Sequence, residues 1–107
     1  MSESKTFDLY AVLAVTHRLP SDLDQFVEII GFLAGGPVNT LAWAHVREVG
    51  ARWLFHQHPQ LLTIPPAPDF DGDEAAMDAW ADTRKQALGA ELTINPVPAA
   101  WWDVMAP

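Results

Sequence analysis

The stretch Ser21–Gly36, "SDLDQFVEIIGFLAGG", specifies a helix more clearly than any other part of the sequence. Ser21 is a favourable N-cap, and the carboxylates of Asp22 and Asp24 suit the positive end of the helix dipole. The two glycines indicate the helix end, because glycine readily adopts the left-handed backbone found there. Apolar residues at helical spacing form one wide face: Leu23, Phe26, Val27, Ile29, Ile30, Phe32 and Leu33. We expect this helix to be central to the fold or to form half of a homodimer.

Upstream, the segment Thr6–His17, "TFDLYAVLAVTH", predicts a shorter helix with Asp8 as its cap. Its β-branched residues also fit a short strand, and that alternative stays open. The helix ends before Pro20, because proline lacks an amide donor and biases the residue before it toward extended backbone. Residues 1–6 are expected to be flexible.

Two further helices are predicted downstream. One runs from about Leu41 to Gln57 and is capped by Asn39 or Thr40. The other spans Glu74–Leu88, with Asp73 as its cap.

The remaining segments have no helical period. Residues 62–72 include most of the stretch "IPPAPDFDGD". Its prolines predict that this segment is a stiff, extended connector. Residues 91–94 predict a short edge strand or an isolated extended piece, because two prolines follow closely. We therefore predict a single mainly α domain over residues 1–107, with about four helices and a short extended C-terminal segment. A minor β component, giving an α+β fold, stays open.

One stripe of the third helix carries His45, Glu48, Arg52 and His56. Such a set supports acid–base chemistry or ligand binding only inside a pocket that shifts its pKa values. The simpler interpretation is a solvated face with one ion pair between Glu48 and Arg52. Gly50 lies in the same helix, where its missing side chain would allow another backbone to approach closely.

Two histidines end this helix, in "RWLFHQHPQLL", Arg52–Leu62. On a strand, His56 and His58 would share one face and could bind a metal, but Pro59 breaks the element here. Histidine also suits the negative end of a helix dipole. We interpret both as capping or packing residues, and we predict no metal ligand, no cofactor and no catalytic residue.

The acidic stretch "DFDGDE" has the first three ligand positions of a calcium loop in Asp69, Asp71 and Asp73. The pattern then fails, because Glu74 stands where glycine is needed and Trp80 stands where the bidentate glutamate belongs. We interpret the four acidic residues as the solvated entrance of the last helix, and alternatively as a contact surface.

Composition limits the classes of partner. The net charge of −8 disfavours nucleic acids and anionic membranes, which need clustered Lys and Arg, and favours a partner with a basic or apolar surface. No apolar run is near 18 residues, and the first one follows Glu3 and Asp8, where a signal peptide has positive charge. We expect a soluble, cytoplasmic protein. Near the C-terminus, either Trp101 or Trp102 is expected to pack while the other is exposed.

Four segments in order resemble a group of small proteins encoded by actinobacterial phages and prophages. They are "FDLYAVLAVTHRL", "DQFVEIIGFLAGG", "LFHQHPQL" and "GAELTINPVP". The resemblance implies a phage origin and action inside the bacterial host, but no activity, cofactor or catalytic residue. It also implies that the His-Pro of "HQHPQL" is shared within the family while the position of His56 varies. The stretch "TLAWAHVREVG" departs from the pattern, so a partner surface there does not carry over.

The leading hypothesis is a non-catalytic phage protein that binds a host protein and modulates host physiology or defence. Its candidate contact residues are His45, Glu48, Arg52, His56, Asp69, Asp71, Asp73, Glu74, Trp101 and Trp102. One alternative is an enzyme that uses a metal or small ligand on the stripe of the third helix. Another is a self-assembling virion or scaffold component.

Overall fold

The computed structural model describes the backbone of residues 4–104 and the side chains through Trp102. Its elements are β1 Lys5–Asp8, α1 Leu9–Thr16, α2 Leu23–Ala34, α3 Trp43–Gln57, α4 Glu74–Leu88, β2 Glu91–Ile94 and α5 Ala99–Val104. Short 3₁₀ turns span Thr40–Ala42 before α3 and Pro59–Thr63 after it. The prediction of a mainly α domain is confirmed, with five α-helices in residues 4–104 and a two-stranded sheet. No helix in this part of the chain is both long and apolar enough to cross a membrane.

The sheet joins two distant parts of the sequence. β1 and β2 are antiparallel, with Thr6 opposite Thr93 and Phe7 opposite Leu92. The hydroxyl groups of the two threonines are 2.8 Å apart, and both Phe7 and Leu92 face the core. Of the residues 1–6 that we expected to be flexible, Lys5 and Thr6 belong to β1, and residues 1–3 lie outside the described part of the chain. The strand at residues 91–94 is confirmed, and its partner is the element that the sequence did not reveal.

Helix α1, and not α2, lies at the centre of the molecule. It contacts α2, α3, α4 and both strands, and six of its eight residues are buried: Leu9, Ala11, Val12, Leu13, Ala14 and Val15. A helix that is apolar on every side must be covered on every side. Asp8 caps it as predicted, accepting the amide hydrogen of Tyr10 at 2.8 Å.

Helix α2 begins and packs differently from the prediction. Its N-cap is Asp22 and not Ser21, and the Asp22 side chain makes no capping hydrogen bond. Leu23 and Val27 are 60% and 44% exposed, so the predicted apolar face is only partly buried. The buried part of the helix is Ile29, Ile30 and Leu33, which lies against α1 and α3. Gly35 ends the helix in the left-handed conformation, as expected.

Helix α3 packs closely on α2 through Gly50. A Cβ atom at Gly50 would lie 2.9 Å from Cδ1 of Leu33, so the close neighbour is a side chain and not the backbone that we predicted. Asn39 caps the 3₁₀ turn that precedes the helix by accepting the amide hydrogen of Leu41.

The connector begins two residues later than predicted, because Leu62 and Thr63 belong to the 3₁₀ turn. From here on, "connector" means residues 64–72. It is anchored by the buried side chain of Ile64 and by Phe70, whose ring lies 6.3 Å from that of Trp80. Helix α4 then spans the predicted residues, with Asp73 as its cap and Gly89 directly after it.

The C-terminal residues are not a simple extended segment, because α5 follows β2. Trp101 and Trp102 are both half-buried, so the prediction that one packs and the other is exposed is wrong. Adjacent residues of a helix point about 100° apart, which allows both rings to reach α3 at different places. Trp101 lies 5.2 Å from Trp53, and Trp102 lies 6.3 Å from His45.

Candidate functional site

A cleft of about 610 Å³ lies between the end of α1 and the connector. Its floor is aromatic and apolar, with Phe55 of α3, Phe70 of the connector and Met77 of α4. The other residues that line it are Thr16, His17, Arg18, Pro20, Ile64, Pro66, Ala67, Pro68, Asp69, Asp71 and Gly72. We call this the connector cleft. Since proline restricts its own backbone, the connector forms a stiff wall.

His17 fastens that wall to α1. Its Nε2 lies 3.2 Å from the carbonyl oxygen of Ile64, and its Nδ1 lies 2.7 Å from the hydroxyl oxygen of Thr16. A carbonyl only accepts, so Nε2 carries the hydrogen and, in the neutral ring, Nδ1 is an acceptor. The hydroxyl of Thr16 has one hydrogen, for which Nδ1 competes with the carbonyl oxygen of Val12 at 3.2 Å. The ring also packs edge-on against Phe55 at 5.8 Å. Both nitrogens are therefore engaged within the protein.

The environment of His17 disfavours its charged form. Burial lowers the pKa of His17 below its ordinary value of 6.5, and the positive charge of Arg84 acts in the same direction. The hydrogen bond to the carbonyl of Ile64 opposes both effects. Neutral His17 is thus the form that the folded protein favours near pH 7.

A smaller hollow of about 190 Å³ adjoins the connector cleft, since both are lined by Thr16 and Arg18. Arg47, Glu48 and Arg52 of α3 line it as well, together with Val15 and Ala51. We call it the arginine hollow. It contains three of the four arginines in the sequence, although the chain as a whole carries a charge of −8.

A third hollow, of about 500 Å³, adjoins the other end of the connector cleft and shares Pro20 and Met77 with it. Its walls carry Asp22, Glu74 and Asp78, and we call it the acidic hollow. The pKa of Tyr10, which also lines it, is raised by burial and by the charges of Asp78 and Glu74. The hydroxyl of Tyr10 donates to the carbonyl of Pro20 at 2.7 Å.

The connector cleft shares lining residues with each of the two smaller hollows, and we refer to the three together as the groove. Its arginine end is basic, its middle is mainly apolar but also carries Arg18, Asp69 and Asp71, and its other end is acidic. A groove with this order of surfaces complements an extended chain that is acidic at one end, apolar in the middle and basic at the other.

The structure divides the predicted stripe of α3. Glu48 and Arg52 form an exposed pair at 3.4 Å and line the arginine hollow. His45 and His56 instead lie beside α5, with ring centroids 6.3 Å from Trp102 and 5.5 Å from Trp101. The four side chains thus face two different surroundings, and this arrangement does not gather them around one bound molecule.

The predicted aromatic contact surface is partly structural. His56 stacks on Trp53 at 5.7 Å and also contacts Trp101. Trp53 donates its ring hydrogen to the carbonyl of Asn95 at 2.9 Å. These contacts hold α5 and the residues after β2 against α3, which fits the interpretation of His56 as a packing residue.

His58 is the C-cap residue of α3 through its backbone, but its side chain binds strand β2 and not the carbonyl groups that end the helix. Its Nε2 lies 2.8 Å from the carbonyl oxygen of Thr93, and its Nδ1 lies 3.3 Å from Nε2 of Gln60. No group of three potential metal-binding side chains occurs among residues whose positions the structure describes.

The acidic residues of "DFDGDE" stabilise local turns, and most of them also line the groove. Asp69 accepts the amide hydrogen of Asp71 at 3.0 Å, and Asp73 accepts that of Ala76 at 3.1 Å at the start of α4. Asp69 and Asp71 line the connector cleft, whereas Glu74 lines the acidic hollow. The structure thus brings three of the four predicted acidic residues to one groove.

Sequence reasoning missed the residues that connect this groove. His17 and Arg18 follow one another at the end of α1, whereas Arg47 and Phe55 belong to α3, and no spacing in the sequence brings the two pairs together. The sequence did indicate one feature of the groove, since the prolines of the connector predict a stiff segment.

Comparison of the chain with protein-family models, with curated proteins and with solved structures gives no match. The phage family suggested by the four sequence segments therefore stays a proposal.

Proposed function

We propose that this chain is a non-catalytic binding protein that holds an extended segment of a partner protein in the groove. The phage resemblance supports the further proposal that it acts on a host protein in the cytoplasm of a bacterial host. The partner segment has an acidic group for the arginine end, apolar side chains for the connector cleft and a basic group for the acidic end.

The observation that carries the proposal is the order of surfaces along the groove. Phe55, Phe70 and Met77 offer apolar area in the middle, while opposite charges lie at the two ends. Apolar contact supplies affinity, and charges of opposite sign at the ends fix the direction of a bound chain. A net charge of −8 adds a general attraction for a basic partner.

The state of His17 supports binding over catalysis. It is the histidine that lines the connector cleft, and both of its ring nitrogens already bind Thr16 and Ile64. A general base needs a free lone pair within reach of the substrate. Here the imidazole instead holds the wall of the cleft in place.

The test is site-specific photo-crosslinking in host lysate. A benzophenone amino acid at Pro68, which is exposed and lines the connector cleft, should crosslink one host protein. The same amino acid at Ala87, which is exposed on α4 outside the groove, is the matched control. Mass spectrometry identifies the crosslinked peptides.

Two further observations complete the test. A synthetic peptide with the crosslinked sequence should bind the purified protein, and a Phe55→Asp substitution in the cleft should weaken that binding while circular dichroism shows the fold retained. Equal crosslinking from positions 68 and 87, or peptide binding that survives the substitution, would contradict the proposal.

A further inference from the structure

We propose that the arginine hollow is a binding site for a phosphate monoester group. This inference rests on the proposed function and makes it more specific. It names the acidic group of the partner segment that binds at the arginine end. The supporting observations are the charge of the hollow, the lack of partners for two of its arginines among the described side chains, and a volume sufficient for the anion.

The charge of the hollow matches a dianion. Arg18, Arg47 and Arg52 line it together with one acidic residue, Glu48, so the lining carries two net positive charges. A phosphate monoester carries a charge close to −2 at pH 7, because its second pKa is about 6. The planar fork of a guanidinium also matches the oxygens of a phosphate in bidentate contacts.

Two of these arginines lack partners among the side chains that the structure describes. Within residues 4–102, neither Arg18 nor Arg47 makes an ion pair or a side-chain hydrogen bond. The other cations are engaged, since Lys5 pairs with Glu28, Lys85 pairs with Asp8 and Arg84 lies over the ring of Trp80. Glu48, the carboxylate that lines the hollow, pairs with Arg52.

The hollow is large enough for a phosphate group. Its volume of about 190 Å³, open to solvent, accommodates a tetrahedral oxyanion with some hydration. The overall negative charge of the chain also disfavours a polyanion such as a nucleic acid, whose many phosphates would meet repulsion beyond the hollow.

Arg18 itself occupies a position at which glycine would be easier to accommodate. Its φ angle is +56°, in the left-handed region that non-glycine residues rarely adopt. This conformation belongs to the turn that ends α1, in which the amide of Leu19 donates to the carbonyl oxygen of Leu13 at 3.3 Å. The same feature permits a clean test, because an Arg18→Gly substitution removes the charge and relieves the backbone.

The test is a titration of the purified protein with inorganic phosphate at pH 7.5, followed by amide chemical shifts in ¹H–¹⁵N spectra. Saturable shifts are expected for Thr16, Arg18 and Arg52, while sodium chloride at equal ionic strength should not reproduce them. The Arg18→Gly variant should bind phosphate roughly tenfold to a hundredfold more weakly, as expected for the loss of one charged donor. Its resistance to urea should equal or exceed that of the unmodified chain.

Two other variants complete the design. Arg47→Gln should weaken phosphate binding in the same way without any change of backbone preference. Lys5→Gln removes the same charge at β1, away from the hollow, and should leave the Kd unchanged. Shifts that stay linear in phosphate, or an equal Kd in all four proteins, would overturn the proposal.

The source of the phosphate is settled by a second ligand. A short peptide with a central phosphoserine should bind more tightly than inorganic phosphate and also shift Phe55, if the group arrives on a protein segment. Equal affinities would assign the hollow to a free phosphorylated molecule, with the chemistry of the site unchanged. If phosphate binds but the crosslinking at Pro68 fails, the site stands while the proposed peptide-binding function does not.

Discussion

The Nε2 atom of His17 lies 3.2 Å from the carbonyl oxygen of Ile64, 47 residues further along the chain. This contact joins the end of the central helix to the first residue of the connector. Because the ring also packs between Phe55 and Trp80, one side chain supports the wall of the connector cleft from two directions.

Replacing His17 with alanine should therefore loosen the connector. We expect the free energy of unfolding to fall by about 2 kcal/mol, from the lost hydrogen bond and the cavity left beside the two rings. Urea denaturation measures this change, and limited proteolysis should show earlier cleavage within residues 64–72. Gln86→Ala, on an exposed site of α4, is the control and should alter neither result. Unchanged proteolysis of the connector would show that the contact does not hold it.

Stability should also depend on pH through His17. Burial lowers the pKa of His17, so the unfolded chain takes up a proton near pH 6.5 while the folded protein still resists it. The contribution of neutral His17 is complete above pH 6.5 and is lost as the pH falls through its lowered pKa. Urea midpoints measured from pH 7.5 to pH 5 should thus fall less steeply in a His17→Phe variant. Parallel curves for the two proteins would refute the assignment.

Gly50 and Gly31 provide a matched pair of substitutions. Gly50→Ala brings a Cβ atom within 2.9 Å of the buried Leu33, and the overpacking should exceed the gain in helix propensity, with a net loss of about 1 kcal/mol. At Gly31 the nearest atom would be 3.5 Å away, so Gly31→Ala should stabilise the protein by about 0.5–1 kcal/mol. Thermal unfolding compares them, and the same sign for both variants would contradict the packing described for Gly50.

The contact between Trp53 and Trp101 should be measurable as a coupling. Their rings meet edge to face at 5.2 Å, a geometry worth about 0.5–1.5 kcal/mol beyond the buried area. A double-mutant cycle with Trp53→Phe and Trp101→Ala, followed by urea denaturation, isolates this energy. Additive effects of the two substitutions would mean that α5 does not depend on this ring pair.

The segment after β2 is attached by a pair of side-chain amides. Gln57 donates to the side-chain oxygen of Asn95 and accepts the backbone amide hydrogen of Asn95 at 3.1 Å. Gln57→Ala should cost about 1–2 kcal/mol, because two partly buried polar groups of Asn95 lose this partner. Hydrogen exchange at the Asn95 amide should rise in the variant, with the amide of Ile94 as an internal reference in β2. No change in exchange at Asn95 would argue against the bond.

The helices could be predicted wherever local signals determine them. Asp8, Asp73 and Gly35 mark helix ends through capping chemistry that acts within one turn, and the structure agrees with each of them. β1 could not be predicted in this way, because its four residues form a strand by pairing with β2, which lies more than 80 positions later in the sequence. The central position of α1 was also missed, since an all-apolar helix and a wide amphipathic helix look alike in a short window.

The groove could not be predicted from short stretches of sequence, for a similar reason. Arg18 follows α1 while Arg47 and Arg52 belong to α3, so their approach depends on how the two helices pack. The stripe of α3 was visible in the sequence, but its division between the arginine hollow and α5 was set by elements that approach from opposite sides.

The pairing of β1 with β2 has a consequence for the order of folding. Thr6 and Thr93 are separated by 87 positions, so the sheet closes only after nearly the whole chain has been synthesised. Helix α1 leaves the ribosome early and α2 follows soon after it, but α3, α4 and β2, which cover the rest of α1, follow later. During that interval part of its apolar surface has no native cover, so chaperone binding or slow translation would affect how much nascent chain reaches the native state.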